Sequence, residues 1–188
     1  MLPQRIFTIG HSNRQIDDFI ALLRQNSVSC VIDIRTVPKS RHNPQFGQDL
    51  LAASLHEAGI DYHYLRGLGG LRKPRPDSIN GAWRNLSFRG YADYMQTDEF
   101  ATGVDTVLAL GTAQPCALMC AEAVPWRCHR SLVADALLVR GVAVDDIIDS
   151  RQARPHKLTP FAQVQGRCIT YPLQPEALQH SAETAREP

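Results

Sequence analysis

The segment Cys120-Ala-Glu-Ala-Val-Pro-Trp-Arg-Cys128-His129-Arg130 places two thiols, a carboxylate, an imidazole and two guanidiniums within eleven positions. A thiol at a helix N-terminus beside arginines has a lowered pKa, which makes Cys128 or Cys120 a candidate nucleophile. Glu122 is a candidate general acid or base. Cys120, Cys128 and His129 are also residue types that bind zinc, with His11 or Glu122 as a fourth ligand. Their spacing fits no standard zinc module, so no metal is assigned from the spacing. A phosphatase loop needs Cys-x5-Arg, and Arg127 stands one residue too far from Cys120 for that. Cys120 is equally readable as a small buried residue at a strand end.

Other groups of the same chemical types follow apolar runs elsewhere in the chain. His11, Ser12 and Asn13 follow Arg-Ile-Phe-Thr-Ile-Gly, Asp33 and Arg35 close Cys-Val-Ile-Asp-Ile, and Arg66 opens a glycine-rich stretch. His11 is a candidate base or phosphate donor, or a hydrogen-bonded turn residue. Asp33 acts directly, orients Arg35 or His11, or is a strand-end acid paired to an arginine for purely structural reasons. Three windows, 35–48, 66–89 and 121–130, hold 11 of the 20 Lys and Arg residues and 2 of the 19 acids. Arginine forks suit phosphate and carboxylate. Arg35, Arg66, Arg127 and Arg130 are therefore candidate anion ligands, with Ser12, Asn13 and His129 beside them at helix starts. Trp83, Phe88 and Tyr91 either stack a base or pack a long loop down.

These groups meet only if the fold brings them together. Apolar runs and helical periodicities alternate: strands over 5–10, 30–34, 61–65, 116–120 and 142–148, and helices over 15–25, 48–57, 91–95, 100–110 and 129–140. Ser12 or Asn13 is expected to cap the first helix. An extended piece over 168–171 is expected to add an edge. That order predicts a three-layer α/β fold with a mostly parallel, Rossmann-like sheet. Ligands bind outside the carboxyl ends of such strands, where every candidate above is delivered. One domain over 1–173 is expected, followed by a disordered tail over 174–188.

Bulk properties narrow the class. The 188 residues are 44% hydrophobic and 21% charged, with a net charge of +1, so no whole-molecule field marks a nucleic-acid coat or a polybasic membrane binder. No apolar run reaches the roughly 20 residues of a membrane span, and no signal-peptide pattern opens the chain, which predicts a cytoplasmic protein without a membrane partner. Five cysteines, three of them within thirteen positions, suit reactive thiols, metal ligands or core residues before disulfides.

Thr8-Ile-Gly-His-Ser-Asn13, Asp33-Ile-Arg35, Leu68-Gly-Gly70, Met119-Cys-Ala-Glu122, Cys128-His-Arg130 and His156-Lys-Leu-Thr159 together resemble the domain-of-unknown-function family numbered 488. The resemblance spans about residues 7–172. It implies a small bacterial α/β protein and no established reaction. The expectation from the residues themselves is an enzyme acting on a phosphorylated, nucleotide or nucleic-acid substrate. The alternative is a non-catalytic module that binds a nucleotide, a nucleic acid or a metal through Cys120, Cys128 and His129.

Overall fold

A computed structural model describes residues 3 and 5–173, so the tail expected over 174–188 lies outside the described residues. Five strands, β1 (Arg5–Gly10), β2 (Cys30–Asp33), β3 (Asp61–Tyr64), β4 (Cys116–Cys120) and β5 (Ala143–Ile147), form a parallel sheet. A two-residue strand, β6 (Arg154–Pro155), pairs antiparallel with β5. The sheet order is β3-β2-β4-β1-β5-β6, which sets β4 between the first two strands. The expected edge over 168–171 instead forms β8 (Cys168–Thr170), paired with β7 (Gln163–Gln165) in a separate two-stranded sheet. These last strands are two or three residues long and mostly polar, so they carry no periodic signal.

Five helices cover the sheet: α1 (Ile16–Gln25), α2 (Gln48–Glu57), α3 (Leu86–Tyr94), α4 (Asp98–Ala113) and α5 (Arg130–Val139). Alternate residues of a strand point to opposite faces. On one face Ile9, Val31 and Met119 pack against Phe19 and Leu23 of α1 and Leu51 and Leu55 of α2. On the other Ile32, Leu118 and Cys120 pack against Tyr91 of α3, Val104 of α4 and Leu132 of α5. The layers are thus helix, sheet, helix, as expected. The α1 cap is Gln15 and makes no side-chain bond, whereas Ser12 sits at φ 51° in the turn before it. α3 starts five residues earlier than its apolar pattern, because the Asn85 side chain accepts from the Ser87 and Phe88 N–H groups. No helix of the described residues is long and apolar enough to cross a membrane.

Candidate functional site

Three neighbouring strands, β2, β4 and β1, end together. The His11 N–H donates to the Cys120 carbonyl at 3.0 Å, Ser12 N–H to Ala121 at 2.8 Å and Ile34 N–H to Met119 at 3.0 Å. Above these ends lies a cleft of about 450 Å³. His11, Arg35, Cys120, Glu122, Arg127, Cys128 and His129 all line it, with Thr36, Lys39, Ser40, Gly70, Leu71 and Phe88. Residues spread over a hundred positions therefore share one cavity, in the place the strand order predicts.

Several candidates serve the walls rather than the cavity. The fully buried Asp33 carboxylate accepts from Arg35 Nε and Nη2, from the Arg35 backbone N–H and from Tyr62 Oη at 2.7 Å. It does not line the cleft. Arg35 spends its remaining donors on the Phe46 carbonyl at 2.8 Å and on His11 Nε2 at 3.3 Å. His11 Nε2 accepts that bond, so Nδ1 carries the proton and donates to Ser12 O at 2.8 Å. Burial, with Arg35 adding to it against the Ser12 bond, pushes the His11 pKa down to about 4. The ring stacks on Phe46 with centroids 4.4 Å apart. His11 is thus a neutral part of the cleft wall with both nitrogens engaged.

Arg130 is completely buried and donates to the Glu122 carbonyl at 2.6 Å and the Ala123 carbonyl at 3.1 Å. It positions the loop that carries Glu122, and does not line the cleft. Arg66 lines a neighbouring depression, and Ser12 and Asn13 line neither. Arginines of the long loop behave alike: Arg72 donates to Gly67 and Gly69 carbonyls over the Tyr94 ring, and Arg89 to Trp83 and Gly81 carbonyls. Trp83 stacks on Phe88 and meets Phe161 and Tyr171 edge-on, and Tyr91 is buried, so this aromatic set mainly pins the loop. Only Phe88 of the three reaches the cleft. Among the described residues, the cleft cations without a partner in the fold are Arg127 and Lys39, the second overlooked because it stood in a cationic window without a motif.

The floor is different. His129 Nε2 lies 3.0 Å from the Ile34 carbonyl, which can only accept, so Nε2 carries the ring proton of neutral His129. Its Nδ1 lone pair then faces two sulfurs, Cys120 Sγ and Cys128 Sγ, each at 3.8 Å. The neighbouring Cys128 thiol, reinforced by burial, drives the Cys120 pKa up, and the Cys120 thiol pulls that of Cys128 down despite burial. Gly70 makes the close packing on His129 possible. A Cβ there would lie 2.7 Å from Cγ and 2.8 Å from Cε1 of the imidazole, and closer still to Nδ1. These distances set Gly70 over the ring face and leave the lone-pair direction open toward the sulfurs. Glu122 is exposed at the cleft wall.

No curated protein and no solved structure matches the chain. A family model matches residues 15–137, from the first helix through Cys128, His129 and Arg130 to most of α5. It therefore takes in three of the five parallel strands, β2, β3 and β4, with the helices that follow them, and the whole floor of the cleft. On that span the chain belongs to the family described as Domain of unknown function DUF488.

Proposed function

We propose that the protein is an enzyme that holds a small anionic substrate in this cleft, with Lys39 and Arg127 binding the anion and Glu122 moving the proton. The observation that carries this reading is the meeting, in one cavity, of two unpaired cations, an exposed carboxylate and a cluster of soft donors. The cavity volume of about 450 Å³ is that of a small-molecule site rather than of a track for a nucleic-acid backbone. Val37, Leu71 and Phe88 add apolar walls, and Phe88 is held rigid by its stack on Trp83 at 4.7 Å. An anionic group plus a flat apolar body is the chemistry of a nucleoside phosphate. Arg35 and Asp33 support rather than react: they fix the end of β2, and through it the cleft wall.

Thermal melts with nucleoside monophosphates and with inorganic phosphate test this. A ligand present at 100 times its Kd raises stability by about 2.7 kcal/mol. The nucleotide is expected to stabilise the native protein more than phosphate does, and a Lys39→Glu/Arg127→Glu variant is expected to lose that gain. With a turned-over compound in hand, Glu122→Gln should lower kcat by about 10²-fold or more with a smaller change in KM. If no anion stabilises the native protein beyond the double variant, the reading fails.

A further inference from the structure

The geometry points to a metal centre of the zinc class at Cys120, Cys128 and His129, with its open fourth position facing the cleft. This inference rests on the reading of the cleft as an active site and names the group that would make its floor reactive. The three donor atoms lie within 4.8 Å of one another. In a tetrahedral zinc site the sulfur–nitrogen edge is roughly 3.6 Å, from metal–ligand lengths of about 2.3 and 2.05 Å. Both sulfurs stand 3.8 Å from Nδ1, so a contraction of a few tenths of an ångström brings each sulfur–nitrogen edge to that length.

A cysteine–histidine nucleophile pair accounts for less of this geometry. Such a pair needs one sulfur on the imidazole lone pair, and here two sit at the same distance. The Nε2–H bond to Ile34 O is the outer-shell contact that orients a ligating histidine and fixes its tautomer. Each donor sits on or beside a rigid element: Cys120 ends the central strand β4, while Cys128 and His129 immediately precede α5. Thiolate and imidazole select zinc-like ions over magnesium or calcium. Three protein ligands with a fourth place open is the pattern of a catalytic rather than a structural site. Glu122 lines the same cleft, on the loop between Cys120 and Cys128.

The test uses the full-length protein and the metals alone. One equivalent of cobalt(II) should give tetrahedral ligand-field bands and thiolate charge-transfer absorption. Cys128→Ser and Cys120→Ser should each weaken binding by at least about 10²-fold, while Cys168→Ser, at an exposed thiol, should leave the spectrum intact. Because the first two variants can lose the fold, a second measurement uses the native sequence. Saturating zinc should slow alkylation of Cys120 and Cys128 at least tenfold, leave Cys168 unprotected, and be reversed by a chelator. Unchanged alkylation rates, or an octahedral cobalt spectrum, would overturn the centre. The two readings separate cleanly. Nucleotide stabilisation without metal uptake removes the centre and keeps the substrate cleft, and metal uptake without any anion effect does the opposite.

Discussion

Gly10→Ala is expected to lower the melting temperature by about 10 °C, from a loss of roughly 4 kcal/mol. Gly10 ends β1 where that strand meets Cys120 of β4 in register. A Cβ at this position would overlap the Glu122 carbonyl oxygen, lie 2.7 Å from its carbon and 3.1 Å from Arg130 Nη1. The obstacle is backbone already held by Arg130, so no flexible side chain can swing away. Relief requires β1 and the Glu122 loop to part, which breaks the His11 N–H to Cys120 and Ser12 N–H to Ala121 bonds. Overpacking costs about 1–3 kcal/mol and each hydrogen bond about 1 kcal/mol more. Gly67→Ala is the internal control, since a Cβ there meets nothing within 4 Å and its φ is not positive. A Gly10→Ala protein that melts within about 2 °C of the native one would show that the loop yields freely. The same variant should displace Glu122 and so weaken any activity that depends on it.

Gly10 also shows what could be read in the sequence and what could not. As the residue that stops an apolar run it was legible, and so were the five parallel strands, most plainly β2, whose apolar run and full burial are those of a strand covered on both faces. The reason for the glycine was not legible, because it depends on a carbonyl more than a hundred positions away. Arg130 makes the same point with charge. A guanidinium at a helix start reads as an anion ligand, and nothing local distinguishes it from one that turns inward to hold Glu122 and Ala123 carbonyls. Asp33, Arg35 and His11 do lie together, yet their hydrogen bonds are spent on one another and on Ser12, Phe46 and Tyr62. Cys120, Cys128 and His129 were recognised by type, but their spacing resembled no known module. Here the third donor is oriented by Ile34 O, and a side-chain contact from His129 to the carbonyl just past β2 leaves no trace in spacing.

His156 carries the second large effect, a stability that falls as the solution becomes alkaline. Its ring is 7% exposed and lies between two carboxylates, with Nδ1 2.9 Å from Asp146 and Nε2 3.1 Å from Asp135. Burial, the largest single influence, favours the neutral ring. The hydrogen bonds and charges of Asp135 and Asp146 together outweigh it and lift the pKa from 6.5 to about 9. The folded value lies above the unfolded one, so the stabilisation is complete below about pH 6.5 and disappears as pH rises through about 9. At 1.36 kcal/mol per unit this is about 3 kcal/mol, or roughly 8 °C in melting temperature. His156→Gln should melt lower at pH 6.5 and converge on the native protein near pH 9.5, and parallel pH profiles for the two would refute the assignment. The network reaches the site as well. Tyr171 Oη and the Thr159 N–H also bind Asp135 of α5, and Thr8 Oγ1 of β1 binds Asp146 at 2.6 Å. The helix preceded by Cys128 and His129 is thus fastened to β1 and β5 through one protonated histidine. Loss of that proton loosens the fastening at Asp135 in mid-helix, beyond the start of α5 where the cleft donors lie, so alkaline destabilisation should precede any loss of the cleft's own bonds in hydrogen exchange.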